Sequence, residues 1–122
     1  MNLHPAGDRR AGWLARLAAG DPGIVASASG PAADNIEASG LDVRTHALVR
    51  LAALVAAGEP GAAYDEYVAT ALDHGVTLDE IAGVLVALLP TAGAARVTGA
   101  APAILEAIDR VAPDCPAAAG SA

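Results

Sequence analysis

The sequence predicts an all-α protein, a helical bundle of about six helices with an apolar face left for contact between subunits. Three observations carry that expectation. The 122 residues are 54% hydrophobic with no Phe, two Tyr and one Trp. Ala and Leu dominate, and these are the best helix formers, while the β-branched and aromatic residues that favour strands are sparse. Start and stop signals for helices recur along the chain, and the segments between them carry apolar residues at helical spacing. Small side chains also allow helix axes to approach closely, within one chain or between copies.

Taken in order, Asp8 is placed to cap a helix over Arg9 to Ala19, with Gly20 as its stop and Trp13, Leu14 and Leu17 on one face. Asp21-Pro22 starts a short segment that ends near Gly30, and Ala32 to Ser39 forms another, stopped by Gly40. Asp42 caps the next helix, whose Val43, Ala47, Leu48, Leu51, Leu54 and Val55 share a face and whose end is Gly58. A helix from about Pro60 to His74 comes next, stopped at Gly75, with His74 at the negative end of its dipole. Thr77 and Glu80 form a capping box ahead of an apolar run from Ile81 to Leu89. That run is apolar nearly all round, so it should be covered on all sides, and a subunit interface is the natural cover. After Pro90 a last helix carries Val97, Ala101, Ile104, Leu105, Ile108 and Val111, with Pro102 predicting a kink or a restart. One domain is expected over 1–112, with 113–122 a disordered tail.

Several function classes fall away. Seven basic residues face fourteen acidic ones, for a net charge of −7, with no basic stripe and few aromatics to stack on bases. Nucleic acid and anionic membrane surfaces are poor partners for such a chain. The run from Ile81 to Leu89 is far short of the ~20 residues that span a bilayer. Arg9-Arg10 hints at a twin-arginine signal, but Arg16 interrupts the apolar segment behind the pair, and a cytoplasmic location is expected. Cys115 is the one cysteine. Intramolecular disulfides, dithiol chemistry and cysteine-cluster metal sites are therefore not expected, and no cofactor is called for.

From Leu41 to about Ile108 the chain resembles the carboxymuconolactone decarboxylase and alkylhydroperoxidase D-like family. The residues that carry the resemblance are LDVRTHALVRLAAL, a short Gly-Pro loop, ATALDHGVTLDEIAGVLVALL, the small-residue stretch TAGAARVTGA and a closing helix. The resemblance implies an all-α fold built on a helical hairpin and assembled as a homotrimer or homohexamer. The family's redox branch looks like a Glu followed by Cys-x-x-Cys-x-x-x-His. Counted back from Gly75, those positions hold Ala47, Pro60, Ala63 and Tyr67. A thiol peroxidase needs a thiolate and a resolving thiol, and neither stands there. The decarboxylase branch keeps the His and tends to carry a Pro and an Asn further on, where this chain has Ala95 and Thr98.

Decarboxylation of a lactone acid needs a cation or donor for the substrate's oxygens and a proton for the carbanion or enolate. Tyr67 and Arg96 are the candidate catalytic residues, with His46, Arg50 and Tyr64 as candidate substrate-binding residues. His46 and Arg50, spaced i, i+4, share a helix face; they either line a site or form the solvated side of their helix. Arg96 either reaches into a pocket from among small residues or is tied to Asp65 or Glu66 in an interface salt bridge. Tyr64 and Tyr67 either pack in the core or offer a phenol to a ligand. The functional expectation is a decarboxylase-like lyase on a small anionic, lactone-type substrate. A non-catalytic oligomer that binds a small carboxylate, and a purely structural oligomer, are the alternatives.

Overall fold

A computed structural model of the chain describes residues 5–114, with side chains from residue 12 onward. Cys115 and the rest of the expected tail lie outside the described residues. Seven α-helices and one 3-10 turn make up these residues, and no strand is found among them. The all-α expectation holds, with seven helices rather than about six. The chain divides into two compact units, one ending at Leu41 and the other beginning at Asp42.

The first unit holds α1 (Pro5–Ala18), α2 (Pro22–Ala28) and α3 (Ala32–Ser39). Asp8 does not cap α1, because the helix begins earlier at Pro5, whose fixed φ and missing N–H suit a first helical position. Asp21 does cap α2: its carboxylate accepts from the Gly23 N–H at 2.9 Å and the Ile24 N–H at 3.4 Å. The same carboxylate accepts from Arg16 Nε at 2.9 Å, which ties α2 to the end of α1. Asn35 fastens α3 to α2 by donating to the Ala28 carbonyl at 2.7 Å.

The second unit contains α4 (Val43–Ala57), the 3-10 turn Gly61–Ala63, α5 (Tyr64–Asp73), α6 (Leu78–Ala92) and α7 (Ala94–Val111). Asp42 caps α4 by accepting from the Thr45 N–H at 2.8 Å. The expected helix from Pro60 starts later. Pro60 has an extended ψ of 156°, no side chain caps the turn, and one 3-10 turn precedes the first α-helical residue, Tyr64. At its far end Gly75 takes a φ of +83°. The Val76 N–H reaches back to the Ala71 carbonyl at 3.0 Å, and Val76 is buried, as the left-handed helix closure favours.

The capping box of α6 is complete. Thr77 Oγ1 accepts from the Glu80 N–H at 3.1 Å, and Glu80 Oε1 accepts from the Thr77 N–H at 2.9 Å. The second Glu80 oxygen pairs with Arg44, so the box also fastens α6 to α4. Pro90 does not end this helix. It removes one backbone donor within the last turn, and the chain leaves the helix only at Gly93, whose φ is +90°. Pro102 likewise lies within an unbroken α7, with no restart.

The core of this unit joins Leu51, Val55, Tyr64, Val68, Ala71, Ile104 and Ala107, each 2% exposed or less. Most of the apolar stripes read from the sequence face this core. Val43 and Leu105 are exceptions at 42% and 45% exposure, while Ala100 and Ala107 on α7 are buried. The all-round burial expected for α6 is not met within one chain: Ile81 is its one buried residue, Val86 is 66% exposed and Leu89 39%.

The capping box yields a measurable expectation. Thr77→Ala removes one half of the box and should lower unfolding free energy by about 1 kcal/mol in urea melts, while Thr77→Ser should recover most of it. Leu51→Ala, at a position with no exposed surface, should cost about 2–5 kcal/mol.

Candidate functional site

The site begins with the way α4 ends. Gly58 adopts a φ of +71°, the left-handed conformation. Its N–H donates to the Val55 carbonyl at 3.0 Å, and the Glu59 N–H donates to the Leu54 carbonyl at 3.4 Å. This double closure fixes Gly58 and Glu59 against the end of the helix. The Arg96 side chain of α7 lies over Gly58: a Cβ built there would collide with Nη1 and stand 2.9 Å from Cζ. Gly58 thus serves twice, supplying a backbone angle and leaving room for a guanidinium.

A cavity of about 310 Å³ opens beside this contact. Arg96, Glu59 and Tyr64 supply its polar groups, while Gly61, Gly99 and Ala103 keep its walls shallow. Arg96 forms no ion pair among the described residues. The expected partner Asp65 is engaged elsewhere, receiving Arg110 through contacts of 2.7 to 3.0 Å that hold its carboxyl below the ordinary carboxylate range. Tyr64 is 1% exposed, and no buried side-chain nitrogen or oxygen lacks a hydrogen-bond partner among the described residues. Burial, then the nearby Glu59 charge, raises the phenol above its usual pKa, so Tyr64 stays a protonated donor near neutral pH.

A second cavity of about 220 Å³ lies on the other side of Glu59, lined also by Arg50, Leu54 and Tyr67. Arg50 Cζ sits 4.5 Å from the centroid of the Tyr67 ring, a cation–π contact that orders both side chains. Arg50, Tyr67 and Arg96 therefore do not line one cavity. Arg96 shares its cavity with Tyr64, and Arg50 shares the other with Tyr67, while Glu59 belongs to both.

His46 and Arg50 are not the solvated side of α4. His46 is 4% exposed, and Arg50 is half-buried against Tyr67. Burial first, and then the Arg50 charge, push the His46 imidazole below its ordinary 6.5. His46 lines neither cavity. Among the described residues no group of three or more His, Cys, Asp or Glu side chains could hold a metal ion, and no helix is long and apolar enough to cross a membrane.

Glu59 is the residue that sequence reasoning missed. The signal was available: the position after a left-handed helix closure commonly makes an apolar contact with the preceding turn, and here it carries a charge.

The fold and cavity together define a small helical protein with a cation, a carboxylate and a buried phenol around one pocket. Residues 30–107 match the Carboxymuconolactone decarboxylase family, well over half the chain, and the chain belongs to that family. No curated protein matches the chain, and no solved structure matches it.

The buried histidine has a stability signature. Because its folded pKa is depressed, the unfolded chain takes up the proton more readily. That contribution is fully present above about pH 6.5 and is lost as pH falls from 6.5 toward the folded value. Urea midpoints should therefore drop between pH 6.5 and 5 in the wild type. His46→Asn should flatten this limb and leave the carboxylate-driven loss below pH 4 intact; an unchanged limb would contradict the assignment.

Proposed function

We propose that the cavity at Arg96 binds a small carboxylate and that the protein is a decarboxylase-like lyase for an anionic, lactone-type acid. The observation that carries this reading is a guanidinium with no ion-pair partner among the described residues, set over a 310 Å³ cavity beside a buried phenol. A cavity of that size suits a ligand of metabolite dimensions.

The chemistry is set by where charge moves. When a carboxylate leaves as carbon dioxide, its carbon–carbon bond breaks and the electron pair passes to the lactone carbonyl as an enolate. Only interactions stronger in that transition state than in the ground state accelerate the step. Arg96, placed near the carbonyl oxygen, gains interaction as charge arrives there, and the protonated Tyr64 hydroxyl offers a hydrogen bond to the same oxygen. The carbon left behind takes a proton from solvent through the open side of the cavity.

Tyr67, at the position where the resemblance placed a histidine, serves differently in this reading: it steadies Arg50 at the neighbouring cavity. His46 is buried, lines neither cavity, and does not touch ligand in this reading. The exposed apolar surface of α6, with Val86 at its centre, is proposed as a contact between copies in a homotrimer or homohexamer.

Two measurements test this. Addition of a carboxylated γ-butyrolactone should raise the melting temperature of the wild type. Arg96→Ala should melt as the wild type does without ligand and lose the shift, with binding weakened about 10- to 100-fold for a lost charged hydrogen bond of about 1.5–3 kcal/mol. Release of carbon dioxide from an unsaturated lactone acid separates a lyase from a non-catalytic binder. Sedimentation should show an assembly that Val86→Asp disperses; a monomeric wild type would contradict the interface.

A further inference from the structure

We propose that Glu59 decides which ligands the Arg96 cavity accepts, because its carboxylate opposes an entering anion and leaves a neutral ligand of the same shape unopposed. This rests on the reading that the cavity takes a small carboxylate. Three observations support it. Glu59 is the one acidic residue lining either the Arg96 cavity or the Arg50 cavity. It forms no ion pair among the described residues, although a cation lines the cavity on each side. Its backbone is held by the closure of α4, with its N–H on the Leu54 carbonyl at 3.4 Å, so the residue cannot leave the cavity edge by a simple loop shift.

The charged and titratable groups that face Glu59 come from three helices. Arg50 of α4 and Tyr67 of α5 lie on one side, with Tyr64 of α5 and Arg96 of α7 on the other. His46, beside Arg50, is held neutral by burial and by that cation near pH 7. The Glu59 charge already reaches the Tyr64 phenol and makes it harder to ionise. A carboxylate entering beside Arg96 meets the same charge at similar range. Two like charges a few ångströms apart in a partly screened cavity weaken binding by about tenfold. A neutral amide in its place removes that opposition and offers a donor to the ligand's oxygens.

The experiment uses the full chain, a carboxylated γ-butyrolactone and its neutral methyl ester, titrated by calorimetry at neutral pH. Glu59→Gln, at an exposed position, should fold with an unchanged melting temperature. It should bind the acid about tenfold tighter and bind the ester as the wild type does. If Glu59→Gln binds the acid no tighter while Arg96→Ala removes binding, the role of Glu59 is overturned and the carboxylate reading stands. If neither wild type nor Glu59→Gln binds the acid, both are overturned.

Discussion

Where α4 stops, at Gly58, the backbone turns left-handed and the side chain of Arg96 occupies the space a Cβ would fill. Much of the second unit depends on that left-handed closure. The closure sends the chain through Glu59 and Pro60 into α5, so that Tyr64 and Val68 meet Leu51 and Val55 in a common core. It also sets the guanidinium of α7 against the end of α4 without a carboxylate to neutralise it. A cation seated on a glycine surface keeps its hydrogen-bonding edges available, whereas one held in a fork with a carboxylate, as Arg110 is with Asp65, has already used them.

Around that seat the two phenols of α5 diverge. Tyr64 turns inward and meets the Arg96 cavity, while Tyr67 turns toward α4 and stacks under Arg50. Burial keeps the first phenol protonated and so makes it a donor; the cation above the second makes it a platform. Glu59 lines both cavities, and its charge reaches the Tyr64 phenol. Residues 30–107, which set the family membership, contain every polar group around the two cavities.

The fold was legible wherever local chemistry decides it. Asp21, Asp42 and the Thr77–Glu80 pair each satisfy backbone donors within four residues of themselves, so their roles can be read from a short window. The prolines mislead for a physical reason. Pro90 costs α6 one donor in its last turn, and the chain leaves the helix only at Gly93. The site was less legible. Tyr64 and Tyr67 lie one turn apart, and nothing in their spacing says which faces α7, because that depends on how α5 is rotated against its neighbours. His46 is hard to place for the same reason: its side of α4 is covered rather than wet. Glu59 escapes notice because it belongs to a loop, and only the helix closure brings it to both cavities.

The most direct test of this account is the affinity of a carboxylated γ-butyrolactone for Gly58→Asn. Asparagine tolerates the left-handed conformation better than other side chains, so the turn survives, but its Cβ occupies the seat of Arg96. The account predicts a folded protein with a cooperative melt and binding weakened at least as much as by removing the guanidinium itself. Undiminished affinity in a folded Gly58→Asn protein would contradict it, because the ligand would then not depend on where Arg96 sits.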